Sequence, residues 1–195
     1  MKKLLLALLF VSQSVFAWEQ QAPLQINQCV KHSPYGLPVV SKPDATLICR
    51  NGYLVMHDNQ AKIPVWASYA INAELALGCV ARTNAFVADN SLPPGKKASP
   101  QDYAGTGYDQ GHIVPDGDQS YNQQVEWESF LMSNMSPQLP NLNRGVWKQL
   151  ESTVRAWAVQ RNHTLIVIPG NIYNVATNKK IGKSNVNVPD GLFKI

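Results

Sequence analysis

The chain has 195 residues, of which 45% are hydrophobic and 15% charged. That length supports one ordinary domain with a sizeable core, and the composition excludes a disordered or low-complexity chain. The formal net charge of +4 at pH 7 permits a nucleic-acid partner without requiring one.

Lys2 and Lys3 precede a short apolar run, Leu4 to Val11, and Val15-Phe16-Ala17 offers a cleavage point. Residues 1–17 are expected to be a secretory signal peptide, too short for a stable membrane anchor. The mature protein would then be secreted or periplasmic, without a membrane segment, as a single domain over residues 18–195. Loss of the two lysines would bring the net charge to about +2. In an oxidising compartment, Cys29, Cys49 and Cys79 predict one disulfide. Cys29 and Cys49 flank turn-rich segments, and a bridge between them would pin the N-terminal arm. Cys79 is left over, either as a buried thiol or as a cysteine whose partner is missing.

Trp18 to Ser41 is polar and proline-rich and reads as an irregular arm. Asn51-Gly52 signals a turn, followed by a strand over Tyr53 to His57. After Asp58-Asn59 a second strand is predicted over Ile63 to Ile71, with Pro64 at its start, where a missing N–H is tolerated. Ala88 to Gly107 is a long loop rich in Pro, Gly, Ser, Asp and Lys, the type of loop that often carries function. Tyr108 to Val114 should leave a turn and enter a short strand. Asn143 to Gln160 is the clearest helix. Val146, Leu150, Val154 and Trp157 form an apolar stripe, and Asn143 is a natural N-cap. Thr164 to Ile168 predicts a buried strand stopped by Pro169-Gly170. Lys180 to Asp190 is polar and turn-like, and Gly191 to Ile195 looks like the opening of another strand.

Candidate chemistry concentrates between Tyr108 and Glu151. Asp109-Gln110-Gly111-His112 places an imidazole after a glycine and before a β-run. Histidine is the natural general base near neutral pH. A lone histidine is nevertheless more often structural, and His32, His57 and His163 are assigned to that class. An asparagine oxygen at position 143 is a hard, neutral ligand of the type Mg²⁺ accepts. Glu151 lies two helical turns further on and about 80° round the axis. Asn134 is a turn residue or a supporting hydrogen bonder. Arg82 is a surface charge or a phosphate clamp, since its planar fork suits phosphate oxygens. Motifs for serine hydrolases, zinc proteases, phosphate-binding loops and redox cysteine pairs are missing from the sequence.

Three spaced motifs carry a resemblance. D-Q-G-H at 109–112, S-N-M-S-P-Q at 133–138 and L-N-R-G-V-W-K-Q-L-E at 142–151 resemble the secreted DNA/RNA non-specific endonucleases of the ββα-metal, or His-Me finger, class. Looser similarity reaches from about Tyr53 to the chain's end. The resemblance implies an α+β fold, with a ββα-metal core of a hairpin and a crossing helix. That core would sit in a larger antiparallel sheet flanked by helices.

It also implies roles. His112 would be the general base, Asn143 the one protein ligand of Mg²⁺, and Glu151 the carboxylate holding metal-bound water. Mn²⁺ is a possible substitute ion. Asn134 would support the site and Arg82 would stabilise phosphate charge. Two departures stand out. The family's arginine in D-R-G-H is Gln110 here, leaving Gln110 and Arg144 as substrate-binding candidates. Family members also continue past V-P-D, so truncation at the C-terminus is left open.

The activity implied is a secreted, Mg²⁺-dependent endonuclease. It would cleave DNA and RNA with little sequence preference and leave 5′-phosphates, because contacts to the backbone carry no base information. The alternative is a non-catalytic nucleic-acid-binding protein on a nuclease scaffold.

Overall fold

A computed structural model describes residues 20–195, so the expected signal peptide at 1–17 lies outside the described residues. Ten strands occur in chain order. The first three are β1 (Ala45–Cys49), β2 (Leu54–Asp58) and β3 (Ile63–Ile71). β4 (Asp109–His112) and β5 (Met135–Gln138) lie mid-chain. β6 (Leu165–Val167) and β7 (Pro169–Ile172) follow, then β8 (Lys180–Ile181), β9 (Val186–Asn187) and β10 (Gly191–Lys194). The helices are α1 (Ala73–Ala76), α2 (Gln123–Ser129) and α3 (Lys148–Arg161).

The larger sheet is antiparallel, in the order β1-β2-β3-β7-β10, with β6 also paired to β3. β3 is central, and eight of its nine residues are buried, so this sheet is covered on both faces. One cover is α3. Val154 and Ala158 of α3 join Val55, Ala67, Tyr69 and Ile71 of the sheet in one cluster, together with Ile113 and Val114. The cluster therefore takes in the two residues that follow His112, fixing that stretch from below. On the other side Trp66, Leu54 and Val65 pack with Cys29 and Cys49.

β4 and β5 form the smaller antiparallel pair, with His112 opposite Met135 and Asp109 opposite Gln138. The long connection between them holds α2, capped by the Asn122 side chain, which accepts from the N–H groups of Gln124 and Val125. Two buried acids of α2 also accept backbone N–H groups: Glu128 from Asn51 at 2.9 Å and Glu126 from Thr83 at 2.9 Å. The fold is thus α+β, with a two-strand unit leading to a crossing helix beside a larger antiparallel sheet.

Several elements differ from expectation. The helix does not begin at Asn143. Leu142–Trp147 is a wide turn that breaks at Gly145 (φ −103, ψ −112), and α3 starts at Lys148. The wide turn takes Val146 out of phase with the stripe, and Val146 is 63% exposed. Trp157 is also 44% exposed, so of the expected stripe Val154 is buried, joined by Ala158 and Trp147. The predicted strand does end before Pro169-Gly170, at Val167, but this pair then opens a further strand, β7. Proline is tolerated at a strand's first residue, and a Cβ on Gly170 would come within 2.5 Å of the Phe193 ring. The segment Lys180 to Asp190 holds the β8–β9 pair, and β1 is an additional strand. The N-terminal arm contains a 3₁₀ helix, Ile26–His32.

Cys29 and Cys49 form a disulfide with their Cα atoms 5.8 Å apart, tying that 3₁₀ helix to β1. Cys79 is free and exposed, not a buried thiol. Arg50, next to Cys49, is buried against the equally buried Asp89. One guanidinium nitrogen donates to both carboxylate oxygens at 2.8 Å. Burial opposes ionisation of Asp89, but Arg50 and the Ser133 and Ser91 hydroxyls hold its pKa below the usual value.

His32 is 3% exposed, and its Nε2 lies 3.1 Å from the Asn51 carbonyl oxygen. Burial lowers its pKa to about 4. A depressed histidine pKa contributes stability that is present above about 6.5 and lost as pH falls through about 4. Glu151, raised by burial to about 7, contributes with the opposite sign, so the difference from a variant isolates His32. The stability of the protein relative to His32→Gln should fall by roughly 3 kcal/mol between pH 7 and pH 4. Urea unfolding at each pH measures it, and a difference that stays flat would exclude a buried neutral imidazole.

Candidate active site

His112 ends β4, and its position is set by close packing. A Cβ on Gly111 would sit 2.2 Å from Cδ of Gln138 on the paired strand, so a larger residue before the histidine would displace that buried side chain. The His112 carbonyl accepts from Trp147 Nε1 at 3.3 Å and Gln138 Nε2 at 3.4 Å. Asn134 latches the chain two residues on. Its Oδ1 accepts from Val114 N at 2.9 Å, and its Nδ2 donates to the Val114 and Ser129 carbonyls at 2.9 and 2.8 Å.

The imidazole stacks edge-on against Phe130, with ring centroids 4.8 Å apart, and lies 5.7 Å from Phe86. Burial among these rings drives its pKa down to about 4, and the Arg82 charge adds to this while Asp116 opposes it. His112 is therefore neutral at physiological pH and free to accept a proton. Its Nε2 is buried without a hydrogen-bond partner, so Nδ1 is the nitrogen available to a molecule in the adjoining cavity.

That cavity, of about 490 Å³, is lined by His112 and Gln110 from β4, by Asn143 and Arg144 from the wide turn, and by Glu151 from α3. Arg82 and Asp116 complete one wall, and Lys148 and Arg155 of α3 another. Across its mouth Asp109 clasps the wide turn. Asn143 Nδ2 donates to Asp109 Oδ2 at 2.9 Å. Arg144 donates from Nε to Oδ2 at 2.8 Å and from Nη2 to Oδ1 at 2.6 Å. The Arg144 guanidinium, with help from the Asn143 amide, lowers the Asp109 pKa against the effect of burial. An ionised carboxylate only accepts, so the Asn143 amide must turn its NH₂ to Asp109 and leave Oδ1 as a free acceptor.

Arg82 pairs with Asp116, donates to Asn84 Oδ1 at 2.7 Å, and lies 4.8 Å from the centroid of the Phe130 ring that packs against His112. Burial raises the Glu151 pKa to about 7, with Lys194 and Arg155 pulling it down and Asp118 pushing it up. Arg155 is anchored to Asp118 at 2.5 Å, and Tyr69 donates its hydroxyl to the other Asp118 oxygen at 2.6 Å.

The structure thus brings six of the seven predicted site residues to one cavity: His112, Arg82, Glu151, Asn143, Gln110 and Arg144. Asn134 is the exception. It is fully buried, with its amide spent on backbone groups, and acts by holding the strand end that carries His112. Asn143 was expected to cap the helix; instead it sits in the wide turn before it, and its side chain makes no cap bond. Four charged residues at the cavity had no role assigned from the sequence: Asp109, Asp116, Lys148 and Arg155. Two of them were available from helical spacing, since Lys148 precedes Glu151 by three residues and Arg155 follows it by four, the same helix face. Asp109 and Asp116 carried no periodic signal.

A metal ion has a suitable place here. Among the described residues no group of three or more His, Cys, Asp or Glu side chains could hold one. One amide oxygen beside a carboxylate suits instead a hard cation that keeps most of its water shell, as Mg²⁺ does. The raised pKa of Glu151 is a further fit, since a buried carboxylate ionises readily beside a divalent charge.

Comparison with known proteins places this arrangement in context. Residues 34–195 match the model of the DNA/RNA non-specific endonuclease family. A nuclease of Nostoc sp. is 33% identical over 159 residues, covering 81% of this chain and 56% of the relative. Bovine mitochondrial endonuclease G is 29% identical over 171 residues, covering 83% of this chain and 56% of the relative. Human mitochondrial nuclease EXOG is 28% identical over 156 residues, covering 75% and 42%. This chain therefore spans about half the length of the curated relatives it matches. A crystal structure of an EndoG/EndoGI complex superposes with a TM-score of 0.78 at 26% identity, covering 86% of this chain and 71% of that one. The chain belongs to the DNA/RNA non-specific endonuclease family.

Proposed function

We propose that this chain is a divalent-cation-dependent endonuclease that hydrolyses phosphodiester bonds of DNA and RNA with little sequence preference. The observation that carries the proposal is the cavity itself. A neutral imidazole, a free amide oxygen, a carboxylate and several guanidinium groups converge on it. Family membership supports the same reading.

In the proposed reaction His112 Nδ1 accepts a proton from the water that attacks phosphorus. As the new O–P bond forms, the P–O3′ bond breaks. The 3′ oxygen takes a proton from solvent, and the phosphate stays on the 5′ side. Asn143 Oδ1 would hold Mg²⁺, or Mn²⁺ in its place, which when bound polarises the scissile phosphate and steadies the leaving oxygen. Glu151 accepts hydrogen bonds from water on the Asn143 side of the cavity. Arg82, fixed by Asp116 and Asn84, offers its remaining N–H groups to non-bridging phosphate oxygens. Gln110, whose Nε2 donates to the Pro100 carbonyl at 3.3 Å, contributes hydrogen bonding without charge. All of these groups address phosphate rather than base edges, which accounts for weak sequence preference.

The N-terminal stretch with Lys2, Lys3 and the Leu4 to Val11 run supports export, to the periplasm or the medium. Among the described residues no helix is long and apolar enough to cross a membrane.

Plasmid DNA and a structured RNA, incubated with the protein, should both be cut in Mg²⁺ and spared in EDTA. Cleavage that persists in EDTA, or none in any divalent metal, would defeat the proposal. Binding without cleavage would instead favour a nucleic-acid-binding protein on a nuclease scaffold. His112→Ala should lower kcat by about 10²–10⁴-fold with the native circular-dichroism spectrum retained. A variant that retained the wild-type rate would remove His112 from the reaction.

A further inference from the structure

Four cations line the cavity: Arg82, Arg144, Lys148 and Arg155. Three of them are committed to a carboxylate. Arg82 pairs with Asp116, Arg144 with Asp109 and Arg155 with Asp118. Lys148 alone has no ion-pair partner among the described residues. It stands exposed on the first turn of α3, the turn that also carries Glu151, directly after the wide turn that carries Asn143.

The charge of the site makes this arrangement consequential. Two carboxylates, Asp116 and Glu151, line the cavity with these four cations, and Asp109 and Asp118 pair with Arg144 and Arg155. The three arginines therefore share their charge with carboxylates before any substrate arrives. Arg82 keeps N–H groups for phosphate while paired, but a cation without a carboxylate partner has its whole charge to offer. Gln110, across the cavity on β4, adds no charge. Lysine also suits the task by its build, a compact, strongly hydrated charge on a flexible stem that reaches a phosphate as a point charge.

We propose that Lys148 is a substrate-positioning residue that neutralises a backbone phosphate beside the scissile one. This deepens the nuclease proposal and rests on it. Lys148 sets how tightly the strand is held and how strongly that hold depends on salt, while His112 and Asn143 set the rate of the bound complex.

The test is steady-state cleavage of a fluorescently labelled DNA duplex in Mg²⁺ by the full chain, from 50 to 200 mM salt, comparing wild type, Lys148→Gln and Lys148→Arg. For Lys148→Gln, KM should rise by about tenfold while kcat changes by less than about threefold. The slope of log KM against log salt should fall by about 0.9, the value for one phosphate of duplex DNA. Lys148→Arg should restore both KM and slope. A Lys148→Gln enzyme with wild-type KM and slope overturns the proposal, as does one whose loss lies in kcat alone. A wild type that cuts nothing is a separate failure, that of the nuclease proposal itself. Because Lys148 is exposed, circular dichroism should show the same fold for all three proteins.

Discussion

The Asp109 carboxylate joins the two halves of the site. It leaves β4 three residues before His112 and reaches across the cavity mouth to Asn143 and Arg144 in the wide turn before α3. By taking the Asn143 NH₂ group it decides which end of that amide is left free. By taking the Arg144 fork it turns an exposed cation into part of the frame. Everything proposed for the cavity depends on this clasp, because it engages the NH₂ end of the Asn143 amide and leaves the oxygen unengaged.

Behind the clasp the protein uses packing rather than polar bonds to set chemistry. Phe130 and Phe86 surround the His112 ring and keep it neutral. The backbone around that ring is pinned from three sides, by Gln138, Trp147 and Asn134. Burial acts the opposite way on Glu151, holding its proton on to about pH 7. One cavity thus contains a base kept uncharged and an acid reluctant to ionise, the pairing expected where a cation is to supply the missing positive charge.

Much of this was legible in the sequence, for identifiable reasons. Residues in one continuous motif kept their neighbours, so Asp109 to His112 and Leu142 to Glu151 marked the two walls of the cavity before any coordinates. β3 was legible from a run of apolar residues that Ser68 alone interrupts. The helix start was not. Helical spacing and a good N-cap residue at Asn143 both pointed to one regular helix, but Gly145 breaks the backbone and Asp109 claims the asparagine side chain. Tertiary demand overrode local preference there. Asn134 was legible as a supporting hydrogen bonder, but its partners were not. It lies inside a recognisable motif, yet its amide is consumed by Val114 and Ser129. The ion pairs of Asp116 and Asp118 join residues far apart in sequence, and no pattern of spacing could have paired them with Arg82 and Arg155.

The central claim is that an amide oxygen, with the imidazole standing apart as a base, is the protein's grip on the cation. Crystals grown in Mn²⁺ and measured for anomalous scattering examine it directly. The account places the manganese peak within bonding distance of Asn143 Oδ1, with the His112 ring outside the coordination sphere. A peak ligated by His112, or the absence of any peak at Asn143 in saturating Mn²⁺, would contradict it.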